Sequence, residues 1–352
     1  MVARWHSRVA LAALLIAFLL LLSQFYIKSN DPPIVHQLGI QGFIVDSGRT
    51  KVKRQKLPNL EQLDWPELEY LPLPLGVTRA DQIPWGPQYS REQMRTQWKL
   101  FSIFEDVMEE LGLSDKWMIW GGSLVGSFRH HDNIPWDDDL DVVVDFKVRD
   151  ALWEKMLEMP PEIIIQQSHL RDKIYAKFIE PYNTAQDVEG SRNLSSWGWG
   201  WPFIDIGYYI TNATHLEERA FYGPGHQTCA MSDVFPLIFR PFYKHWVPAP
   251  RNTFAAIMQP NIGQVDCLTS GWSHPFERHR QRQLKPCSEL AHRYAFVEHS
   301  PLYNNSDQGS PSDLTWVRER LLLGHRSIHE LRLVAPRHVA HVETYRMRVV
   351  TP

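Results

Sequence analysis

The chain has 352 residues, with 37 Lys and Arg against 40 Asp and Glu, for a formal net charge of -3. A balance this close to neutral excludes the broad basic surface that nucleic-acid binding uses, and the length permits one large domain or two ordinary ones. Three cysteines with no Cys-x-x-Cys pair exclude a zinc ribbon or a thioredoxin-like centre, leaving room for one disulfide and one spare thiol, with Cys267 and Cys287 a candidate pair.

Val9 to Ile27 is an almost unbroken apolar run. As a helix it just spans a bilayer core of roughly 30 Å. Arg4 and Arg8 precede it and only Lys28 follows closely, so the positive-inside bias places residues 1–8 in the cytosol and the remainder in the lumen. A cleaved signal peptide is the alternative, but the run exceeds the usual apolar region of about 7–15 residues and lacks a clear small-x-small cleavage site. Asn193-Leu-Ser, Asn212-Ala-Thr and Asn304-Asn-Ser are glycosylation sequons and agree with that compartment. The expectation is a single-pass type II protein of the Golgi or ER membrane with a lumenal catalytic part. Residues 28–88, rich in Pro, Gly and scattered charge, read as a loosely attached stem.

Ser90 and Gln93 form a capping box at the head of a helix. Met94, Trp98, Phe101, Phe104, Met108 and Leu111 line one face of it, and Gly112 stops it. A short strand, Trp117 to Trp120, leads into Gly121-Gly122-Ser123 and then a short helix over Leu124 to Phe128. Leu140 to Val144 is a strand by its β-branched content, Ala151 to Met159 a helix closed by two prolines, and Glu162–Gln166, Lys173–Ile179 and Phe203–Ile210 further strands. Asp187 to Trp201 reads as a mobile flap or an aromatic lid, the lid being favoured. Asn252 caps a short helix to Gln259.

The chemistry lies between Trp120 and Val144. Side chains alternate along a strand, so Leu140, Val142 and Val144 face the core while Asp139, Asp141 and Val143 share the other face. Two carboxylates on one face of a stiff backbone repel unless a cation lies between them. Mg²⁺ or Mn²⁺ suits such oxygen ligands and also takes phosphate oxygens. A solvated acidic turn is the bland alternative. An EF-hand is excluded, since Val142 stands where its glycine belongs and Val148 where its bidentate glutamate belongs. Asp137 and Asp138 read as turn groups or supports. Gly121, Gly122 and Ser123 offer a backbone that phosphate can approach at a helix N-terminus, and Arg129 a neutralising cation or an ordinary ion pair. Asp205, a lone acid in an apolar strand, is the best third carboxylate for a metal.

A glycine turn, a paired Asp-x-Asp and a later third acid resemble the outline of the nucleotidyltransferase superfamily. The stretches Gly121–His130 and Ile134–Asp141 are similar to the LicD family, which includes bacterial phosphorylcholine transferases and the fukutins; the likeness extends through Phe203–Ile206 and Asp233–Leu237. It implies an α+β fold after the transmembrane helix, a nucleotidyltransferase-like mixed sheet flanked by helices, over residues 89–300. It leaves 301–352 as a tail of no assigned role. It also implies transfer of a phospho-alcohol, such as ribitol phosphate or phosphorylcholine, from a CDP-linked donor to a glycan hydroxyl on a glycoprotein or glycolipid. Asp139 and Asp141 would bind Mg²⁺ and the donor diphosphate, Asp205 would complete the metal site or act as base, and Gly122 and Ser123 would hold the donor phosphates. The competing expectation is a non-catalytic lumenal scaffold or glycan-binding protein of the same fold. The three cysteines cannot reproduce the cysteine-based zinc element of fukutin-related protein.

Overall fold

A computed structural model describes residues 42–45, 57–72, 83–168, 171–184, 186–194, 197–219, 228–258, 266–302 and 313–350. The predicted anchor at 9–27 and the sequon at Asn304 lie outside these residues. Among the described residues, no helix is long and apolar enough to cross a membrane.

The molecule is a mixed α+β protein. Helix α1 (Arg91–Glu110) forms where its capping box predicts it. The Ser90 N–H donates to Gln93 Oε1 (2.9 Å), the Gln93 N–H donates back to Ser90 Oγ (3.4 Å), and Gly112 follows the helix with φ +69°. Phe101, Phe104, Val107 and Met108 are buried along one stripe, each fully buried side chain stabilising by roughly 1.5–3 kcal/mol.

The central sheet has seven strands: β1 (Trp117–Ile119), β2 (Asp141–Asp145), β3 (Ile163–Ser168), β4 (Arg171–Ala176), β5 (Phe203–Thr211), β6 (His215–Glu218) and β7 (Thr228–Ala230). β5 is its spine. One edge of β5 pairs with β2 in parallel; the other is shared by β4 and β6, both antiparallel. Between β1 and β2 runs α2 (Gly121–His130), and between β2 and β3 runs α3 (Arg149–Leu157). The helix predicted over Leu124–Phe128 therefore begins at Gly121 itself. Val142, Val143 and Val144 are all buried, because the sheet is covered on both faces. The predicted split between a core face and an open face fails at Val143 for that reason.

A second sheet orders Gly42–Val45, Arg326–Pro336, Leu314–Leu323 and Phe296–Pro301, its first pair parallel. The residues expected to be a loose stem thus supply a strand, with Leu60 and Leu63 buried beside it. The residues expected to be a tail supply a long hairpin. Along Leu314–Leu323 the inward positions are Val317, Glu319 and Leu321, so an inward-facing acid among arginines disguised the strand as a polar segment. Glu319 is fully buried and takes two bonds of 2.9 Å from Arg240 and one of 2.8 Å from His131, whose other ring nitrogen lies 3.0 Å from His329. His131 directly follows α2 in the left-handed region, φ 56°. Helix α2 therefore runs from the Asp-rich segment at one end to this buried network at the other.

Cys267 and Cys287 form a disulfide, while Cys229 is free and buried. Between the two bridged cysteines the chain folds into two small antiparallel pairs, Cys267–Leu268 with Leu284–Lys285 and Trp272–Ser273 with Arg278–His279. In the Trp-rich loop, Trp199 and Trp201 are buried and Trp201 stacks on Tyr89, the arrangement of an aromatic lid. Asn193 and Asn212 are exposed.

Candidate active site

Sheet register assembles the acids. Asp205 on β5 is the register partner of Asp141 on β2, and on its other side of Lys173 on β4. One row across three strands thus carries Lys173, Asp205 and Asp141 on the same face. Asp139, just before β2, joins them. Its backbone is held by the Asn133 side-chain amide, which donates to the Asp139 carbonyl oxygen at 2.8 Å. Asp139, Asp141 and Asp205 each place a carboxylate oxygen within 4.8 Å of the others. They line one wall of a cavity of about 460 Å³, with Gly121, Gly122, Asp137, Arg129, Arg171, His274 and Arg282 on the other walls.

The site is dense in charge. Arg171 Nη1 lies 3.4 Å from Asp141 and 3.3 Å from Asp205, and its Nη2 lies 3.0 Å from Glu218. Lys173 Nζ is 3.3 Å from Asp205. Burial opposes ionisation of Asp205, but Lys173 and Arg171 outweigh it and hold the carboxyl below its ordinary value. Burial pushes Asp141 well above its ordinary value, and Asp139 adds to that. Asp139 is pushed up to about 7 by burial, against the attraction of His274. His274 bridges two acids, with Nδ1 2.8 Å from Asp138 and Nε2 3.5 Å from Asp139. Burial alone would lower that imidazole; Asp139 and Asp138 raise it to about 10.

Two buried acids on adjacent strands show what the centre can do. Asp172, on the opposite face of β4 from Lys173, is saturated: Arg149 donates at 3.0 and 2.9 Å, Trp153 at 2.5 Å, and Tyr208 also donates to it. Asp205 is equally buried, yet its Oδ1 has no hydrogen-bond partner. A buried carboxylate oxygen left bare beside two other carboxylates fits an oxygen-liganded divalent cation. The acidic cluster is thus able to hold such an ion.

The glycines serve this geometry in a way that spacing alone does not reveal. Gly121 has φ +52°, and a Cβ there would stand 2.6 Å from Asp141 Oδ2; a Cβ on Gly122 would stand 2.5 Å from Asp137 Oδ2. The Gly122 N–H donates to Asp141 Oδ2 at 3.3 Å. The N-terminus of α2 therefore receives an Asp141 carboxyl oxygen, where the sequence suggests a phosphate. Ser123 is buried, and its hydroxyl accepts the Asp141 N–H at 2.9 Å, so it positions that acid from behind and is not among the residues lining this cavity. Arg129 is buried at the end of α2 with Nη1 3.4 Å from Cys267 Sγ; burial lowers its guanidinium to about 10 against the pull of Asp266. Gly121→Ala is expected to cost about 1–3 kcal/mol in backbone strain and to displace Asp141; thermal melting checks this, and an alanine variant of unchanged stability would refute the role.

Asp137 lies nearer the chemistry than a turn group. It faces Gly122 across the gap and lines the cavity; a turn that closes through its N–H to the Ile134 carbonyl (2.9 Å) folds it back over α2. Asp138 is wholly buried, held by His274 and by Arg280 Nη1 at 3.4 Å. Sequence reasoning missed Arg171, Lys173, His274 and Arg282. The first two flank Asp172 in i, i+2 alternation on a strand, a signal that was available. The other two lie within the disulfide-bridged segment, far along the chain, with no local pattern.

A glycine-led helix, an Asp-x-Asp entering a strand and a third acid on the adjacent parallel strand are the arrangement of a nucleotidyltransferase domain. Residues 114–252 match the family described as LicD/FKTN/FKRP, nucleotidyltransferase domain, a match that supports membership of the LicD family, whose members are generally transferases. No curated protein matches the chain.

Proposed function

We propose that the chain is a metal-dependent phosphotransferase that moves a phospho-alcohol, such as ribitol phosphate or phosphorylcholine, from a CDP-linked donor to a glycan hydroxyl. It acts on the lumenal side of the Golgi or ER membrane, held there by residues 9–27. The observation that carries this reading is the convergence of Asp139, Asp141 and Asp205, with Asp205 Oδ1 unpartnered. These three residues would hold Mg²⁺ or Mn²⁺, which supplies charge neutralisation to a bound diphosphate. Arg129, Arg171 and Arg282 line the same cavity and provide guanidinium donors for phosphate oxygens. Asn133, Ser123 and Gly122 fix the acidic loop. Phosphoryl transfer depends chiefly on such positioning and electrostatics. The glycan oxygen bonds to the donor phosphorus, the bond to CMP breaks, and the hydroxyl proton passes to a carboxylate of the cavity.

One observation favours a second reading, a non-catalytic glycan-binding protein of the same fold: Arg171 and Lys173 already neutralise Asp141 and Asp205. Calorimetric titration of the full chain in detergent with CDP-ribitol and CDP-choline, with and without Mg²⁺, separates the two. Metal-dependent binding of either donor is expected; folded protein that binds neither in either condition supports the second reading.

A further inference from the structure

The two prongs of the Arg171 guanidinium meet different carboxyls. Nη1 lies 3.4 Å from Asp141 Oδ1 and 3.3 Å from Asp205 Oδ2, while Nη2 lies 3.0 Å from Glu218 Oε1. Asp141 and Asp205 belong to the group able to hold a metal ion, and Arg171 lines the same cavity. Glu218 is not among the residues lining it. It ends β6, is fully buried, and takes the Trp120 indole N–H on its other oxygen at 2.7 Å. A Cβ on Gly207, in the neighbouring strand β5, would stand 3.1 Å from Glu218 Oε1, so that glycine leaves the carboxyl its room. Glu218 thus ties one prong of Arg171 to the residue that immediately precedes α2.

Lys173 is placed differently. Its Nζ meets Asp205 at 3.3 Å and lies over two rings, 3.7 Å from the Phe203 centroid and 5.3 Å from that of Trp199. The Lys173 side chain is 7% exposed and that of Arg171 28%. A buried ammonium seated on aromatic faces stays with its carboxylate, whereas Arg171 has a second anchor and an accessible edge. A divalent cation on Asp141 and Asp205 needs their oxygens at about 2.0–2.1 Å, and Nη1 touches those same two carboxylates. Like charges on one pair of acids repel, so with an ion held there Nη1 gives way. Glu218 retains Nη2 and keeps the guanidinium at the cavity. A planar fork of N–H groups can hold a carboxyl on one edge and a phosphate oxygen on the other.

We propose that Arg171 exchanges partners: its Nη1 prong neutralises Asp141 and Asp205 until a divalent ion binds and then turns to the diphosphate of the nucleotide substrate, with Glu218 as the positioning residue that holds the pivot. The proposal rests on the phosphotransferase reading for what Nη1 meets in the cavity. It makes the binding of ion and nucleotide cooperative, since the prong that the ion displaces is the one the diphosphate uses.

Binding measurements on the full chain in detergent test it without turnover. Mn²⁺ affinity without nucleotide is read from the paramagnetic resonance signal of the free ion, and CDP affinity by calorimetry at saturating Mn²⁺. Arg171→Gln removes the competing charge and leaves an amide for Glu218. It should bind Mn²⁺ about fivefold more tightly and CDP about tenfold more weakly, the loss of a hydrogen bond to a charged group. A merely structural arginine would weaken both. Glu218→Gln removes a negative charge, which by charge alone favours an anion; loss of the pivot should instead weaken CDP severalfold. Should Arg171→Gln fail to fold, Arg171→Gln combined with Glu218→Gln, which leaves neither charge of the pair behind, replaces it with the same expectations. Mn²⁺ affinity unchanged or weakened in Arg171→Gln, CDP affinity indifferent to that change, or CDP bound as well or better by Glu218→Gln overturns the exchange. If the wild-type chain binds CDP with Mn²⁺ in that case, the exchange alone has failed; a wild-type chain that takes up Mn²⁺ but no CDP fails the phosphotransferase reading, and the exchange with it.

Discussion

Asp141→Asn should reduce turnover at least a hundredfold and, in the same protein, raise the melting temperature measured in the presence of a chelator. Removing a group that merely supports a metal ligand commonly costs 10–100-fold, so loss of a charged ligand should reach or pass the upper end. The gain in stability follows from repulsion. Asp139, Asp141 and Asp205 crowd within 4.8 Å, and burial with Asp139 pushes Asp141 well above its ordinary value. Ionising it at neutral pH therefore works against folding while no cation is bound. Asparagine is isosteric and keeps an oxygen for the Gly122 N–H. Arg171 keeps Asp205 at 3.3 Å and Glu218 at 3.0 Å, so no buried cation is abandoned. Melting curves with chelator and with Mg²⁺ give the reading: the wild-type chain should be stabilised by Mg²⁺ and the variant should not. A variant that keeps its Mg²⁺ shift, or its turnover, removes Asp141 from the metal site.

Glu319→Leu should have the largest effect on stability, about 3–5 kcal/mol, the usual cost of leaving one partner of a buried ion pair alone. Arg240 is 1% exposed and donates both of its 2.9 Å hydrogen bonds to Glu319. Adding Arg240→Met should restore much of the loss, because an apolar pair can replace a buried ion pair at little net cost. If the double variant is as unstable as the single one, the loss comes from packing and not from the abandoned charge. The same region predicts acid lability. Burial lowers His130 to about 3, His299 to about 4 and His329 to about 3. The unfolded chain binds protons at these rings near 6.5, so below that pH the unfolded state holds more protons than the folded one. Stability is then full above about 6.5 and falls as pH drops toward 4. Glu319, held below its ordinary carboxyl range despite burial by Arg240 and His131, contributes in the same sense and is lost only in stronger acid. Urea midpoints at pH 7 and pH 5 should differ clearly, and a flat profile would contradict the buried neutral rings.

What could be read from the sequence was local. Ser90, Gln93 and Gly112 delimit α1 because caps act over three or four residues. Asp139 and Asp141 stand together because a strand alternates its side chains, and Asp205 stood out as an acid in an apolar run. What could not be read depends on pairing between distant segments. Asp205 meets Asp141 through a parallel register, and His274 arrives from a segment that shares no element with either. Asp137 is brought over Gly122 by a turn outside the strand, so strand periodicity is blind to it. The second sheet was hidden for a different reason: its inward positions include Glu319 and His329, polar residues that both bond to His131 and mask the apolar alternation.

The outer wall of the cavity also has a chemical condition attached to it. Thr269, Ser270, His274 and Arg282 line the acids' cavity from the stretch between Cys267 and Cys287, and closing a loop of this size with a disulfide is worth about 3 kcal/mol. None of the sheet residues depends on that bond. Protein made in a reducing cytosol should therefore keep its central sheet, its helices and its carboxylates while losing the restraint on about a third of the residues that line the cavity. Well-folded but inert material from such a source would report on the redox state of two sulfur atoms, and only oxidised protein provides a fair assay of the acids.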